Sequence, residues 1–425
     1  MREVIHPASS VSGSIALPGD KSISHRYAML AAIAGGVTRI RNYSTGADCH
    51  STLGCIRALG VAVEGGGTEF AIHGRGLDGL RQAEADLDAG NSGSTMRMLS
   101  GILAAQPFSS RLIGDESLSR RPMQRIMQPL TQMGAAIRAR ENKFPPLEIA
   151  GAALHAIDYV LPVPSAQVKT CVLLAGLYAD GPTTVTEPVR SRDHTEIALR
   201  EFGADIAVER RKITLAGRAR LAGRELAVPS DLSSAAFFIV AALLVARSEL
   251  TIHGVGLNPT RSALLDFLVG MGANIRVPAL ESQNGELVGD IVVRHSALRG
   301  GTIDGALAAA LIDEIPVLAV LGAATEQGLI VKDASELRIK ETDRIRTVVE
   351  NLRLAGIEAG ELPDGMVIPG RQKFHAASFD SRGDHRIAMA FAVGALAGDG
   401  PSVIEGADAA SISFPEFWDT LSSIR

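Results

Sequence analysis

Several things are scarce in this sequence, and each scarcity excludes something. Three of the 425 residues are cysteine (Cys49, Cys55 and Cys171). An odd number with no Cys-x-x-Cys spacing offers neither a disulfide framework nor a zinc cluster, and fits a reducing cytoplasm. Aromatic residues make up 4% of the chain, too few for a nucleic-acid surface that stacks bases on rings. The ten histidines form no His-Glu-x-x-His pattern, so a metal is not expected. A Gly-x-x-x-x-Gly-Lys-Ser/Thr loop is missing, so ATP binding is not implied. No Gly-x-Ser-x-Gly elbow is present either, which disfavours covalent hydrolase chemistry. The longest apolar run, Ala235 to Ala246, is too short to cross a bilayer and reads as a buried helix. The opening residues, MREVIHPASSVSGSIALPG, have no apolar stretch behind a basic start, so no secretory signal and no membrane association are expected. Net charge is -5; any anion site must come from local placement of cations.

What is present is a globular composition, 46% hydrophobic and 21% charged, with 44 glycines. The length exceeds one ordinary core and suggests two domains. A helix-ending phrase recurs at Leu59-Gly60-Val61, Met133-Gly134-Ala135, Phe202-Gly203-Ala204 and Met271-Gly272-Ala273, with a looser copy at Leu354-Ala355-Gly356-Ile357. Glycine at the position after a helix accepts the left-handed conformation that ends it. The copies lie about 70 to 80 residues apart, so each spans several elements. Short strands follow each copy, and then a polar or Gly/Pro-rich junction opens an apolar helix.

Those junctions are GDKSISHR (19–26), GNSGSTMR (90–97), VPSAQVK (163–169), VPSDLSSAAF (228–237), LIDEIPVL (311–318) and SRGDHRIAM (381–389). A second helix-opening junction follows in each unit, as in EPVRSRDHTEI (187–197) and DASELRIKETDRI (333–345). The unit is therefore present six times, as two lobes of three. The first junction comes too early to have its own preceding strands, so the N-terminal strand is expected to complete the last unit. ALPG (16–19) and AVPS (227–230) suit the short crossings between lobes.

Helix N-termini attract anions through their free N–H groups and the helix dipole. GDKSISHR adds Lys21, Ser22 and Arg26 to such a start, with Asp20 as a capping residue. GNSGSTMR brings Gly93, and SLSRRPMQR brings Arg121 beside Pro122, which suits the first helical position. VPSAQVK brings Ser165, Ala166 and Gln167. In ELRIKETDRIR, Lys340, Glu341 and Arg344 fall within one helical turn, with Lys340 and Arg344 on one face. Asp313 and Glu314 interrupt an apolar helix start, where a carboxylate is costly unless paired; Asp313 facing Lys340 is a candidate general base. Arg386 marks another junction. Solvated salt-bridged helices would share much of this composition, but the charges gather at junctions rather than along outer faces.

Taken in order over essentially the whole chain, GDKSISHR, GNSGSTMR, RRPM, VPSAQVK, SRDHTE, IDEIPVLAV, KETDR and GDHRIAM resemble the EPSP synthase (3-phosphoshikimate 1-carboxyvinyltransferase) family of enolpyruvyl transferases. The resemblance implies an α/β fold of two lobes, each a pseudo-three-fold inside-out α/β barrel of βαβαββ-type units. One lobe would hold residues 1–20 and 228–425, the other 21–227. It implies transfer of the enolpyruvyl group of phosphoenolpyruvate to the 5-hydroxyl of shikimate 3-phosphate, without metal or organic cofactor. A cytoplasmic monomer is expected, since the cysteines fit a reducing compartment and two lobes can bury their own cores. Carried over, Lys21, Ser22, Arg26, Ser165, Ala166, Gln167, Arg192, Asp313 and Lys340 would hold shikimate 3-phosphate. Lys21, Gly93, Arg121, Gln167, Arg344 and Arg386 would hold phosphoenolpyruvate. Asp313, Glu341 and Lys21 would move protons.

Two departures stand out. Many relatives carry a lysine just before the C-terminal Phe-Pro, where this chain has Ser411-Ile412-Ser413-Phe414-Pro415. Ala166 replaces a serine found in some members, so only its backbone can contribute. With Arg192 in SRDHTE, this resembles the branch often tolerant of glyphosate, the inhibitor that targets the family, although Gly93 keeps the small residue associated with sensitivity. A UDP-N-acetylglucosamine enolpyruvyl transferase would need a Lys-Asn pair near the start and a loop cysteine in 114–122, and neither is present. A non-catalytic anion-binding protein of the same fold is the other alternative; Asp313, Glu341 and Lys21, all in place, argue against it.

Overall fold

The computed structural model describes residues 1–425, and the chain divides into two compact units. The first holds Met1–Pro18, Pro229–Ser282 and Leu287–Arg425; the second holds Gly19–Val228 together with the turn Gln283–Glu286.

Each of the six main junctions opens a helix that is buried almost along its length. In the second unit these are Lys21–Ile33, Gly93–Leu103 and Ala166–Gly176. In the first unit they are Leu232–Leu244, Ile315–Ala324 and His385–Leu396. Their sequences explain the burial: AAFFIVAALL, PVLAVLGAA and AMAFAVGAL are apolar on every side, which suits a helix surrounded by protein. The secondary junctions open helices that bury only one face, such as Gln124–Gln132 and Ala263–Gly270. Burying each large apolar side chain contributes about 1.5–3 kcal/mol.

Around the inner helices of each unit lie three small sheets of one repeated plan. In the second unit, Glu225–Ala227 runs parallel to Gly35–Arg41, which is antiparallel to Glu69–Arg75, itself antiparallel to Ala62–Gly66. The same plan orders the sheets built on Ser109–Ile113 and Thr183–Thr186. In the first unit it recurs around Glu249–Gly256 and Leu329–Val331. The sixth sheet is closed by the N-terminal strand: Arg2–Ile5 pairs antiparallel with Ser402–Glu405, which is parallel to Ser378–Asp380. The expected completion of the last unit by the N-terminus is thus present. So are the left-handed glycines after the helices, with φ of 86° at Gly60, 109° at Gly134, 93° at Gly203, 105° at Gly272 and 74° at Gly356.

The first strand of the plan is exchanged in two places. Ser12–Ala16 comes just before the Lys21–Ile33 helix in sequence, yet it pairs with Glu249–Gly256 of the first unit. Glu225–Ala227 comes just before the Leu232–Leu244 helix, yet it pairs with Gly35–Arg41 of the second. The inner helices also approach closely. A Cβ on Gly101 would lie 2.2 Å from the Cys171 carbonyl oxygen, so glycine is required where Gly93–Leu103 meets Ala166–Gly176.

Candidate functional site

In the second unit most of the side chains expected to bind anions sit near the starts of the three inner helices. Asp20 caps the first, its carboxylate accepting from the Ile23 N–H at 2.9 Å. This fixes Lys21 at the first helical position, where its ammonium pairs with Asp48. Ser22 follows, and its carbonyl accepts from Arg26 Nη1 at 2.9 Å. Arg26 is buried; its Nε donates to Thr195 Oγ1 at 2.7 Å and its Nη2 to Thr170 Oγ1 at 2.9 Å. Burial pulls its pKa down to about 10, with Glu196 opposing and the charge of Arg192 adding to the drop. Arg26 therefore stays cationic at neutral pH, and Arg192 contributes a second positive charge near it.

Ser92 caps the second helix and leaves Gly93 as its first residue. A Cβ on Gly93 would stand 2.8 Å from Arg97 Nη1 and 3.5 Å from Arg121 Nη1, so the glycine leaves room for two guanidinium groups. Arg121 donates to Asn91 Oδ1 at 2.8 Å. Ser165 caps the third helix, making Ala166 and Gln167 its first residues. Gln167 joins two of the helix starts: its oxygen accepts from Arg97 Nη1 at 2.8 Å and its amide donates to Ser94 Oγ at 2.9 Å. Behind them a chain of buried groups runs from His25 Nδ1 to Thr52 Oγ1 (2.7 Å), Thr95 Oγ1 (2.7 Å) and Ser92 Oγ (2.8 Å). Burial, then the charges of Lys21 and Arg26, push the His25 pKa well down and keep the imidazole neutral.

In the first unit, Asp313 lies ahead of the Ile315–Ala324 helix. Its Oδ1 is 3.5 Å from Lys340 Nζ and 3.7 Å from Arg344 Nη1, and its backbone carbonyl accepts from Arg386 Nη1 at 2.7 Å. Arg344 is 1% exposed; Nη2 reaches Glu341 Oε2 at 2.5 Å, and Asp384 accepts from both Nε and Nη2. Burial works against its charge, but Asp384, Glu341 and Asp313 outweigh it and raise the pKa. Asp384 also caps the last inner helix through the Arg386 N–H at 2.9 Å. Glu314, beside Asp313, accepts from Ser233 Oγ and lies 3.9 Å from Arg386 Nη1.

Two local expectations are corrected. Lys340 and Glu341 do not share a helix with Arg344: a 3-10 turn ends at Ile339, Lys340 is extended, and the helix begins at Arg344 behind the Asp343 cap. Lys340 reaches Asp313 because it lies outside the helix. Pro122 is not at a first helical position either, since the helix after it starts at Gln124. The stretch before Phe414 forms the short turn Ala407–Ile412 and carries no cation. Sequence does not single out Thr170, Thr195, Asp48 or Asp384; Thr195 and Asp384 lie inside quoted motifs and Thr170 directly after one, but a hydroxyl or aspartate there reads equally well as a cap. All three cysteines are buried; burial pushes Cys55 up to about 12 and raises Cys49 and Cys171 further, so none is a ready nucleophile. A groove of 580 Å³ beside Asp86, Arg111, Arg138 and Glu148 contains none of the motif residues.

Comparison with known proteins identifies the family. The sequence profile of the family described as EPSP synthase (3-phosphoshikimate 1-carboxyvinyltransferase) matches residues 5–421. A 3-phosphoshikimate 1-carboxyvinyltransferase of Solibacter usitatus is 75% identical over 424 residues, covering 100% of both chains. The solved EPSP synthase of Acinetobacter baumannii superposes with a TM-score of 0.89 at 41% identity, covering 100% of this chain and 98% of that one. The enolpyruvyl transferase NikO of Streptomyces tendae shares the fold, with a TM-score of 0.82 at 20% identity over 99% of this chain and 96% of that one.

Proposed function

The chain belongs to the EPSP synthase family, and from that premise we propose that it transfers the enolpyruvyl group of phosphoenolpyruvate to the 5-hydroxyl of shikimate 3-phosphate, releasing phosphate. It is an enzyme of the shikimate pathway, which leads to aromatic amino acids. The observation that carries the reading is the Asp313 carboxylate between Lys340 and Arg344, with Arg386 bound to its backbone.

Both substrates are anionic. Lys21, Ser22, Arg26 and Arg192 bind shikimate 3-phosphate, with Ser165, Ala166 and Gln167 presenting a helix start to its phosphate. Asp313 and Lys340 bind its hydroxyls. Lys21, Gly93, Arg121, Gln167, Arg344 and Arg386 bind phosphoenolpyruvate. A proton delivered to C3 of phosphoenolpyruvate by Glu341 and Lys21 leaves C2 electrophilic. Asp313 takes the proton of the 5-hydroxyl as its oxygen bonds to C2. The tetrahedral adduct then loses a C3 proton and its C2–O bond to phosphate, restoring the double bond. Lysine and arginine stabilise the departing charge.

No helix is long and apolar enough to cross a membrane. The protein acts as a cytoplasmic monomer, which light scattering after size-exclusion checks. The direct test mixes the protein with shikimate 3-phosphate and phosphoenolpyruvate and follows released phosphate and the mass of the product. Phosphate release with UDP-N-acetylglucosamine in place of shikimate 3-phosphate would transfer the assignment to the other acceptor; none with either would end it.

A further inference from the structure

One buried cluster of charges lies outside the residues assigned above. Lys169 is on the inner helix Ala166–Gly176 and is 0% exposed. Its ammonium meets Glu196 Oε1 at 2.7 Å and Glu187 Oε2 at 3.2 Å, and both carboxylates are themselves almost wholly buried. Charges cut off from water at this depth are retained only where they are paired, and removing one partner is expensive.

The three groups join three segments. Lys169 is one turn beyond Ser165, whose carbonyl accepts its N–H at 3.0 Å. Glu187 follows the strand Thr183–Thr186 and folds the next residues back on itself: its Oε1 accepts from the Ser191 N–H at 3.2 Å and from the Ser191 hydroxyl. Glu196 is in the first turn of the helix His194–Glu201. Arg192 thus lies between two anchor points, Ser191 and Glu196, that lead to the same ammonium. The neighbouring residues form a second link in parallel, with Thr170 Oγ1 2.6 Å from Thr195 Oγ1 and both hydroxyls accepting from Arg26.

We infer that Lys169, Glu187 and Glu196 are positioning residues for shikimate 3-phosphate: the ammonium sets Arg192 and Arg26 against Ser165 and Ala166 at the helix start, and so tunes the affinity for the acceptor phosphate but not for phosphoenolpyruvate, whose contact Gln167 is held separately by Arg97 and Ser94. The inference rests on the assignment of Arg192, Arg26, Ser165 and Ala166 to that phosphate. A single ammonium serves both carboxylates, so no loop residue need touch the ligand to affect its binding.

The test is a double-mutant cycle between Glu187→Gln and Arg192→Gln. It reads shikimate 3-phosphate affinity by calorimetry and the two KM values by phosphate release. Glu187→Gln is expected to weaken shikimate 3-phosphate about tenfold in the parent protein and less than about twofold when Arg192→Gln is already present, the non-additivity expected of coupled groups. KM for phosphoenolpyruvate is expected to stay within about twofold, since no phosphoenolpyruvate residue is in the cluster. A merely structural role would cost the same factor in both backgrounds, or would raise both KM values together, and either result overturns the inference. Should Glu187→Gln fail to fold, Ser191→Ala removes the hydroxyl bond of the same tether and leaves the backbone one, without leaving a buried charge, and the same comparison applies with a smaller expected loss. If Arg192→Gln alone leaves shikimate 3-phosphate binding unchanged, the binding assignment is wrong and the inference falls with it. If Arg192→Gln weakens binding while the tether variants do not, only the inference falls.

Discussion

Asp384 grips Arg344 twice in the interior of the first unit, accepting from Nε at 2.8 Å and from Nη2 at 3.2 Å while both side chains are shut off from solvent. An arrangement of this kind holds a guanidinium in one orientation at the expense of its freedom to move. Replacing Arg344 by methionine strands a buried carboxylate and is expected to cost about 3–5 kcal/mol of stability. The double replacement Arg344→Met with Asp384→Asn removes that stranded charge and keeps a capping side chain, since asparagine caps helices as well as aspartate does. Denaturant melts should show much of the stability regained in the double variant while turnover stays lost. Recovery of turnover along with stability would show that Arg344 is there for the fold alone.

Asp313→Asn keeps the shape of the side chain but removes the base. Turnover should fall by about 10²–10⁴-fold, the usual range for loss of a positioned proton acceptor. Binding of shikimate 3-phosphate, followed by calorimetry, should remain within several-fold. Undiminished turnover would remove Asp313 from the chemistry.

Glu196 provides a pH test. Its pKa is raised above 4.5, chiefly because burial penalises the carboxylate, with Lys169 opposing the shift and Glu187 adding to it. The folded protein therefore holds this proton more tightly than the unfolded chain does. The group's contribution to stability is full below the unfolded value and is lost as pH rises through the folded one. Relative to Glu196→Gln, the parent should lose thermal stability as pH rises from about 4 through the folded value and level off above it. A difference that is flat with pH, or that changes the other way, would contradict the raised value.

Gly101→Ala examines the contact between inner helices. The added methyl would collide with a backbone oxygen of Cys171 rather than with a side chain that could swing aside. Overpacking of this sort costs about 1–3 kcal/mol, so a lowered midpoint in urea is expected. An unchanged midpoint would mean that the two helices can part cheaply.

The helices were the most legible part of the molecule. Each inner helix follows a polar or Gly/Pro-rich junction and runs into residues apolar on every face, so length and punctuation together identify it without a tertiary context. The glycine phrases were equally plain, because a left-handed residue after a helix leaves few alternatives to glycine. Lys340 was harder. Its spacing from Arg344 fits a helix turn, but Asp343 caps the helix, which begins only at Arg344, and a single capping side chain outweighs the spacing. The Lys169 cluster was not visible at all. Its members are 18 and 27 residues apart along the chain, and nothing local marks a lysine in an apolar helix as the partner of two distant glutamates. The turn 283–286 was hidden for a similar reason, since its membership in the second unit depends on long-range packing.

The N-terminal strand carries a consequence for how the protein is made. Arg2–Ile5 has its antiparallel partner in Ser402–Glu405, so a strand made early waits for one 403 residues later. At synthesis rates of about 5–20 residues per second that delay is about 20 to 80 s. Ser12–Ala16 waits for Glu249–Gly256 in the same way. Meanwhile all of the second unit except the short turn Gln283–Glu286 emerges as one uninterrupted stretch, Gly19–Val228, and can assemble its core during translation. A nascent chain stalled several tens of residues beyond Val228 should thus present a largely folded second unit tethered to a bare arm of residues before Gly19, which is the segment that chaperones and proteases would meet first.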